Sequence, residues 1–432
     1  MSVPPSEYRV PGLVVRDHRV TVPVDRSAPD RYPPIEVFAR ELVDPRHASG
    51  DLPLLLFLQG GPGGQGPRPL GGGFWSGLLE SFRVVLLDQR GTGRSSPVDG
   101  RRVAAFGSAD DAADYLACFR ADAIVEDAEE VRRTVFGGAR WATLGQSYGG
   151  FLTLTYLSRH PEALTACYVT GGLPGIAASA EEVYRRTYPR QVARNVELAR
   201  RYPADVALLG SLADRLAAGD VRLPDGDVLT VERLQTLGMQ LGVSTGLDGV
   251  HWLLDTADVD DDGVPSDAFL GAVGARTGFG DNPLYATLQE VIYHQGERAG
   301  GWAAQGERDR WPAFAPDARP LLLTGEAVYP WMFEQIRSLR PFRGAAEELA
   351  GRTQWPALYD LDRLAANEVP VAAVQYYDDP YVDLDLALAT SVGNLQVWIT
   401  NEHLHDGLRV AGDAILPRLF DLAAGKARVT GR

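Results

Sequence analysis

The chain has 432 residues, a formal net charge of −15, 45% apolar residues and 23% charged residues. That length exceeds one compact core of average size and points to a large domain with an insertion, or to two domains. The negative charge opposes binding to nucleic acid or to an anionic membrane surface. The two cysteines, Cys118 and Cys167, cannot make a disulfide framework and match no metal-ligand spacing.

The opening stretch "MSVPPSEYRVPGLVVRDHRV" carries prolines and charges and has no apolar h-region, so no secretory signal is expected. No stretch approaches the length of a membrane span. These features lead to the expectation of a cytoplasmic protein. Residues 10–24 and 34–43 alternate apolar and polar side chains and read as half-exposed antiparallel strands. "LPLLLFLQ", "FRVVLLDQ", "WATLGQ" and "ALTACYVT" follow as short, nearly continuous apolar runs, the pattern of strands buried on both faces of a parallel sheet. Helical stretches such as 111–137 separate them, which predicts an α/β layered fold.

After about Gly175 the pattern changes to amphipathic helix, as in "AEEVYRRTYPRQVARNVELARRY", interrupted by loops such as the Asp-rich "DTADVDDDGVPSD". Strand character returns with "VPVAAVQYY" and "NLQVWIT", before a final helix, "GDAILPRLFDLAAGKA". The expected organisation is a sheet domain in two parts, 1–174 and 368–432, with a mainly helical cap at 175–367 inserted before the last strands. "RPLLLTGE" (319–326) reads as a strand inside the cap without an evident sheet to join.

"WATLGQSYGG" (141–150) sets Ser147 between Gly145 and Gly149, with a β-type run before and a helical run after. Strand, Gly-x-Ser-x-Gly, helix is the arrangement of a nucleophile elbow, whose tight turn projects the serine above the sheet edge. The bare pattern also occurs in flexible loops and glycine-rich helix starts. A serine hydroxyl near pH 7 needs a histidine base and a carboxylate that orients it. In this fold they follow in the order serine, acid, histidine. "VPVAAVQYYDDPYVD" is an apolar strand ending in Asp378 and Asp379, and "LQVWITNEHLHDGLR" a strand followed by His403 and His405. Either member of each pair fits by spacing. His160 is placed at the end of the elbow helix, and His251 and His294 fall in the insertion. One oxyanion donor is the backbone N–H of Tyr148; the other comes from the glycine loop "LFLQGGPGGQG".

Taken together, "QGGPGG" (59–64), "DQRGTGRSS" (88–96) and "GQSYGG" resemble the proline iminopeptidase (prolyl aminopeptidase) family of α/β-hydrolase serine peptidases, with Gln59 where that family has histidine. "NPLYATLQEVIYHQG" (282–296), "LTGEAVYPWMF" (323–333), "VPVAAVQYYDDPYV" and "WITNEHLHDGLR" (398–409) are similar to its longer subgroup. The resemblance implies an α/β-hydrolase fold with Ser147 as nucleophile, His405 as base and Asp379 as acid, and it favours Gly61 as the second oxyanion donor. Pro380 stands where the family has methionine.

The resemblance also implies an aminopeptidase acting on small peptides with a free N-terminus, preferably proline, without metal or cofactor. Such an enzyme must bind an ammonium group and block longer N-terminal extensions, and a cap carrying carboxylates does both. Glu290 and Glu326 are the candidates, since both lie in aromatic-rich, apolar segments; Glu181 and Glu182 are weaker ones at a helix start. Tyr293, Trp331 and Phe333 are candidates for an apolar slot around a pyrrolidine ring. A carboxylesterase, amidase or lactonase would use the same three side chains without an amine-binding carboxylate, and a non-catalytic hydrolase-like protein would use none of them. Oligomeric state is not legible.

Overall fold

A computed structural model of the chain describes residues 6–70, 73–258, 263–298 and 300–429. The middle of the Asp-rich loop (259–262), residues 71–72 of the glycine-rich stretch and the first five residues lie outside the described residues. Nine strands form one sheet: β1 (Ser6–Val10), β2 (Leu13–Val22), β3 (Ile35–Val43), β4 (Leu54–Leu58), β5 (Arg83–Asp88), β6 (Trp141–Gln146), β7 (Leu164–Thr170), β8 (Val371–Tyr376) and β9 (Leu395–Thr400). Their spatial order is β1-β2-β3-β5-β4-β6-β7-β8-β9. β1, β2 and β3 pair antiparallel, as does β3 with β5; every later pairing is parallel.

The apolar runs of the parallel strands divide by alternation. Leu54, Leu56, Leu58, Val85 and Leu87 point into one core, and Leu55, Phe57, Val84 and Leu86 into another. The first core lies under the helices Ala109–Ala117, Ala121–Val135 and Tyr148–Arg159, and the second under the last helix, Gly407–Ala423. Both faces of β4 and β5 are therefore dry, which is why these strands read as unbroken hydrophobic runs.

Two expectations are corrected. β2 and β3 are antiparallel, but they are not half-exposed: β3 is buried at every position except Glu36. Asp17, His18, Arg40 and Glu41 are buried as partners, with Arg40 Nε 2.9 Å from Asp17 Oδ1, and Glu41 shared by His18, Arg16 and Arg83 at 3.1, 3.3 and 2.7 Å. Alternation in the sequence marks paired charge here, not solvent. Residues 319–326 form no strand. Side-chain amides replace the missing sheet partner: the Leu323 N–H donates to Asn195 Oδ1 at 2.8 Å, and the Leu323 carbonyl accepts from Asn195 and Gln191. Gln235 donates to the Leu322 carbonyl at 2.9 Å.

Between β7 and β8 the chain is mostly helical, beginning with the 22-residue helix Ala180–Arg201. Its apolar side chains divide in two. Leu198 through Val273, with Leu321 and Leu323, make a core of their own, whereas Leu284 through Leu364 join the core over the sheet.

Candidate active site

β6 runs into Ser147, whose backbone sits at φ 56° and ψ −126°, and the helix Tyr148–Arg159 begins at the next residue. A non-glycine residue at positive φ is strained by about 1–3 kcal/mol. The turn is tight because the helix start abuts β4: a side chain on Gly149 would collide with the Leu58 carbonyl. The Ser147 N–H is held by the Thr170 carbonyl at 3.1 Å, which ties the elbow to the end of β7.

The loops after β8 and β9 hold Asp379 and His405, the residues expected as acid and base. Asp379 is buried, and its Oδ1 accepts the N–H groups of Tyr381 and Val382 at 2.8 and 3.1 Å. Its Oδ2 lies 2.7 Å from His405 Nδ1. Asp378 is exposed. Burial opposes the charged imidazole of His405, but the Asp379 carboxylate, with Glu326 farther off, outweighs it and holds the ring above its ordinary pKa of 6.5. Ser147 and His405 flank the same two residues. A side chain on Gly172 would collide with the Ser147 backbone, and one on Gly171 would lie 3.4 Å from His405 Nδ1. Among the described residues the Ser147 hydroxyl has no side-chain hydrogen bond; contacts of this kind tighten when substrate is bound.

The glycine loop after β4 closes the other side. A side chain on Gly60 would lie 2.9 Å from Ser147 Cβ, and Gly61 takes φ 132°. In place of a histidine, the Gln59 position is held through its carbonyl, which accepts Gln89 Nε2 at 2.7 Å. The Pro62 carbonyl accepts Asn282 Nδ2 at 3.2 Å, so the insertion also grips this loop. The Tyr148 N–H is the first of the helix N–H groups that have no intrahelical acceptor.

The two cap carboxylates are not equivalent. Tyr285 donates its hydroxyl to Glu326 Oε1 at 2.6 Å, and Oε2 has no partner among the described residues. Burial raises the Glu326 pKa against the opposing pull of His405 and the Tyr285 hydrogen bond. Glu290 accepts the N–H groups of Ala303 and Ala304 at 3.0 and 2.9 Å, and so caps the helix Ala303–Arg308. Burial lifts its pKa to about 7 in spite of those bonds. Each oxygen of Glu290 accepts a backbone N–H, whereas Glu326 Oε2 accepts none among the described residues. Glu181 pairs with Arg185 and Arg310 on the surface, and the Glu182 N–H is capped by Ser179.

Of the aromatic candidates, Tyr293 borders the site: it packs on Phe151 at 5.9 Å, and its hydroxyl feels the charges of Glu326, Glu290 and Asp379. Phe333 packs on Trp302 and Trp331 on Tyr329. Tyr285, Tyr184 and Tyr381 also surround the carboxylates and were not singled out by sequence reasoning, although Tyr285 and Tyr381 lie inside the motifs "NPLYATLQ" and "DPYV". His403 is half-buried and apart from Asp379's bond. His160 pairs with Glu126, and His251 with Asp205. Among the described residues no group of three or more His, Cys, Asp or Glu is placed to hold a metal, and no helix is long and apolar enough to cross a membrane.

A nine-stranded, mostly parallel sheet with a strained serine at a strand–helix elbow, and an acid and a histidine on later strand ends, defines an α/β-hydrolase. The family model described as alpha/beta hydrolase fold matches residues 53–213. Over almost its whole length the chain is similar to the proline iminopeptidase of Aeromonas sobria, with 44% identity over 422 residues, 97% of this chain and 98% of that protein. It is 35% identical over 423 residues to proline iminopeptidase aneH of Aspergillus aculeatus, covering 94% of this chain and 92% of that one. The proline iminopeptidase of Neisseria gonorrhoeae matches over 117 residues at 34% identity, 27% of this chain and 32% of its own. The chain belongs to the proline iminopeptidase family.

Proposed function

We propose that this protein is a serine aminopeptidase releasing an N-terminal residue, preferably proline, from small peptides with a free N-terminus. In this reading, residues 1–174 and 368–432 form the catalytic body and 175–367 the cap. His405 Nε2 takes the proton of the Ser147 hydroxyl as its oxygen attacks the first peptide carbonyl, while Asp379 holds Nδ1 and stabilises the imidazolium. The N–H groups of Gly61 and Tyr148 bind the oxyanion; losing one such donor typically costs about 2.7–4 kcal/mol of transition-state stabilisation. The imidazolium then protonates the leaving amine, and water cleaves the acyl-enzyme by the same relay.

The observation that supports the specificity is Glu326 Oε2, a carboxylate oxygen without a partner among the described residues, in the electrostatic field of His405. The substrate ammonium or iminium occupies it. Glu290, where it is ionised, adds negative potential at Tyr184 and Tyr293, and it fixes the helix behind them. The two free thiols fit a reducing compartment, in keeping with a cytoplasmic enzyme.

Arylamides of proline, alanine and leucine, assayed beside N-acetylproline arylamide, test the reading. Proline is expected to be fastest, and the acetylated compound is expected to be inert. Cleavage of the acetylated compound at the rate of the free one would transfer the protein to the esterase or amidase class.

A further inference from the structure

We infer that Tyr381 is a positioning residue that couples the seating of the helical insertion to the orientation of the His405 imidazole. The inference rests on the assignment of Ser147, Asp379 and His405 proposed above. Tyr381 touches all three parties to the coupling. Its N–H donates to Asp379 Oδ1 at 2.8 Å. Its ring stands nearly perpendicular to the His405 ring, at 86° with centroids 4.8 Å apart. Its hydroxyl, at the far end of the ring, accepts the Gly242 N–H at 3.1 Å and donates to the Met239 carbonyl.

Met239 and Gly242 belong to the 3₁₀ segment Thr236–Gly242 of the insertion. The same segment holds the base directly: the His405 N–H donates to the Gly242 carbonyl at 3.2 Å. Two residues on, Ser244 donates its N–H and its hydroxyl to Asp406 Oδ1 at 2.9 and 2.7 Å. Any side chain on Gly242 would collide with the Tyr381 ring. On the acid loop, Arg190 of the helix Ala180–Arg201 reaches Asp383 Oδ2 at 2.9 Å and the Tyr377 carbonyl at 2.8 Å.

One hydrogen bond to Asp379 fixes Nδ1 but leaves the imidazole free to swing about it. A perpendicular ring in contact blocks that swing and aims Nε2. The ring is itself steered by two hydrogen bonds at its outer end, and both partners are backbone groups of the insertion. Displacing the insertion therefore moves the wall against which the base rests. Proton transfer is sensitive to such displacement, a shift of about 1 Å costing on the order of 100-fold.

The test compares wild type with Tyr381→Phe, Gly242→Ala, Ser244→Ala and Ser147→Ala. The readouts are kcat and KM for proline arylamide, the pH profile of kcat, and active-site titration of Ser147 with a fluorophosphonate to count folded sites. Tyr381→Phe is expected to lower kcat per titrated site by about 10- to 100-fold with KM within about twofold. Its acid limb should move to lower pH as the hold of Asp379 on the imidazole loosens. Gly242→Ala, which pushes the ring away, should change kcat in the same direction. If Tyr381→Phe does not fold, Ser244→Ala, at an exposed position, is read in the same way. Wild-type kcat per titrated site with an unmoved pH profile overturns the inference, even if stability falls. Turnover surviving in Ser147→Ala overturns the underlying triad assignment instead, so the two failures are distinct.

Discussion

The imidazole of His405 feels two opposing influences: burial disfavours its charge, and the carboxylates of Asp379 and Glu326 favour it. The carboxylates prevail. A general base must be neutral to accept a proton, so kcat/KM should rise with pH through a midpoint above 6.5. Glu326→Gln removes one of the groups that raise the imidazole, and a pH–rate profile should show its midpoint shifted downward. The same substitution deletes the proposed amine contact. KM for proline arylamide is expected to rise by about 10- to 100-fold, as the loss of a charged hydrogen bond implies; an unchanged KM would place the amine elsewhere. Glu290 answers to a different measurement. Its folded pKa of about 7 exceeds the ordinary 4.5, so the folded state keeps a proton that the unfolded chain releases between those values. Stability is therefore lost as pH rises from about 4.5 to 7 and stays lost above. Glu290→Gln should flatten that slope in urea titrations at pH 5 and pH 8.

At the level of elements, the elbow and the segment 319–326 show opposite outcomes of similar sequence reasoning. "WATLGQSYGG" contains its own instructions: an apolar run, small residues where backbones meet, and a helix-forming tail. "RPLLLTGE" has equal strand character, but its backbone is satisfied by Asn195, Gln191 and Gln235, side chains over 80 residues away in the chain. No local pattern announces such partners. Asn195→Ala leaves the Leu323 N–H without its partner, the carbonyl keeping Gln191, and should cost about 1–3 kcal/mol. Chemical denaturation reads this directly; a change under about 0.5 kcal/mol would mean that water or Gln191 replaces the amide. Because Glu326 follows three residues after Leu323, KM should rise in the same variant.

Across the whole molecule, the insertion is not one body with one core. The side chains from Leu198 to Val273 pack with one another, whereas those from Leu284 to Leu364 complete the core over the sheet. Regions with separate cores open separately. Hydrogen exchange should therefore show the amides of 205–254 exchanging as one group, faster than those of β4, β6 and β7. A single common rate for both would show that the two cores unfold as one. The division also has a functional side. The part sharing the sheet core carries Glu326, Tyr285 and Tyr293, while the separately packed part carries Met239 and Gly242, which hydrogen-bond Tyr381 and the His405 backbone.

The amino-acid sequence by itself determined the sheet and the elbow, and it pointed to the strand ends that carry Asp379 and His405. These depend on local periodicity and on backbone geometry within a few residues, and both are written in adjacent side chains. Only the tertiary structure decided which carboxylate keeps a free oxygen, how charged β2 and β3 become buried, and which backbone replaces a missing strand. Each of those depends on a partner brought from a distant part of the chain. The energy of a buried polar group is set by that partner and not by its neighbours in sequence.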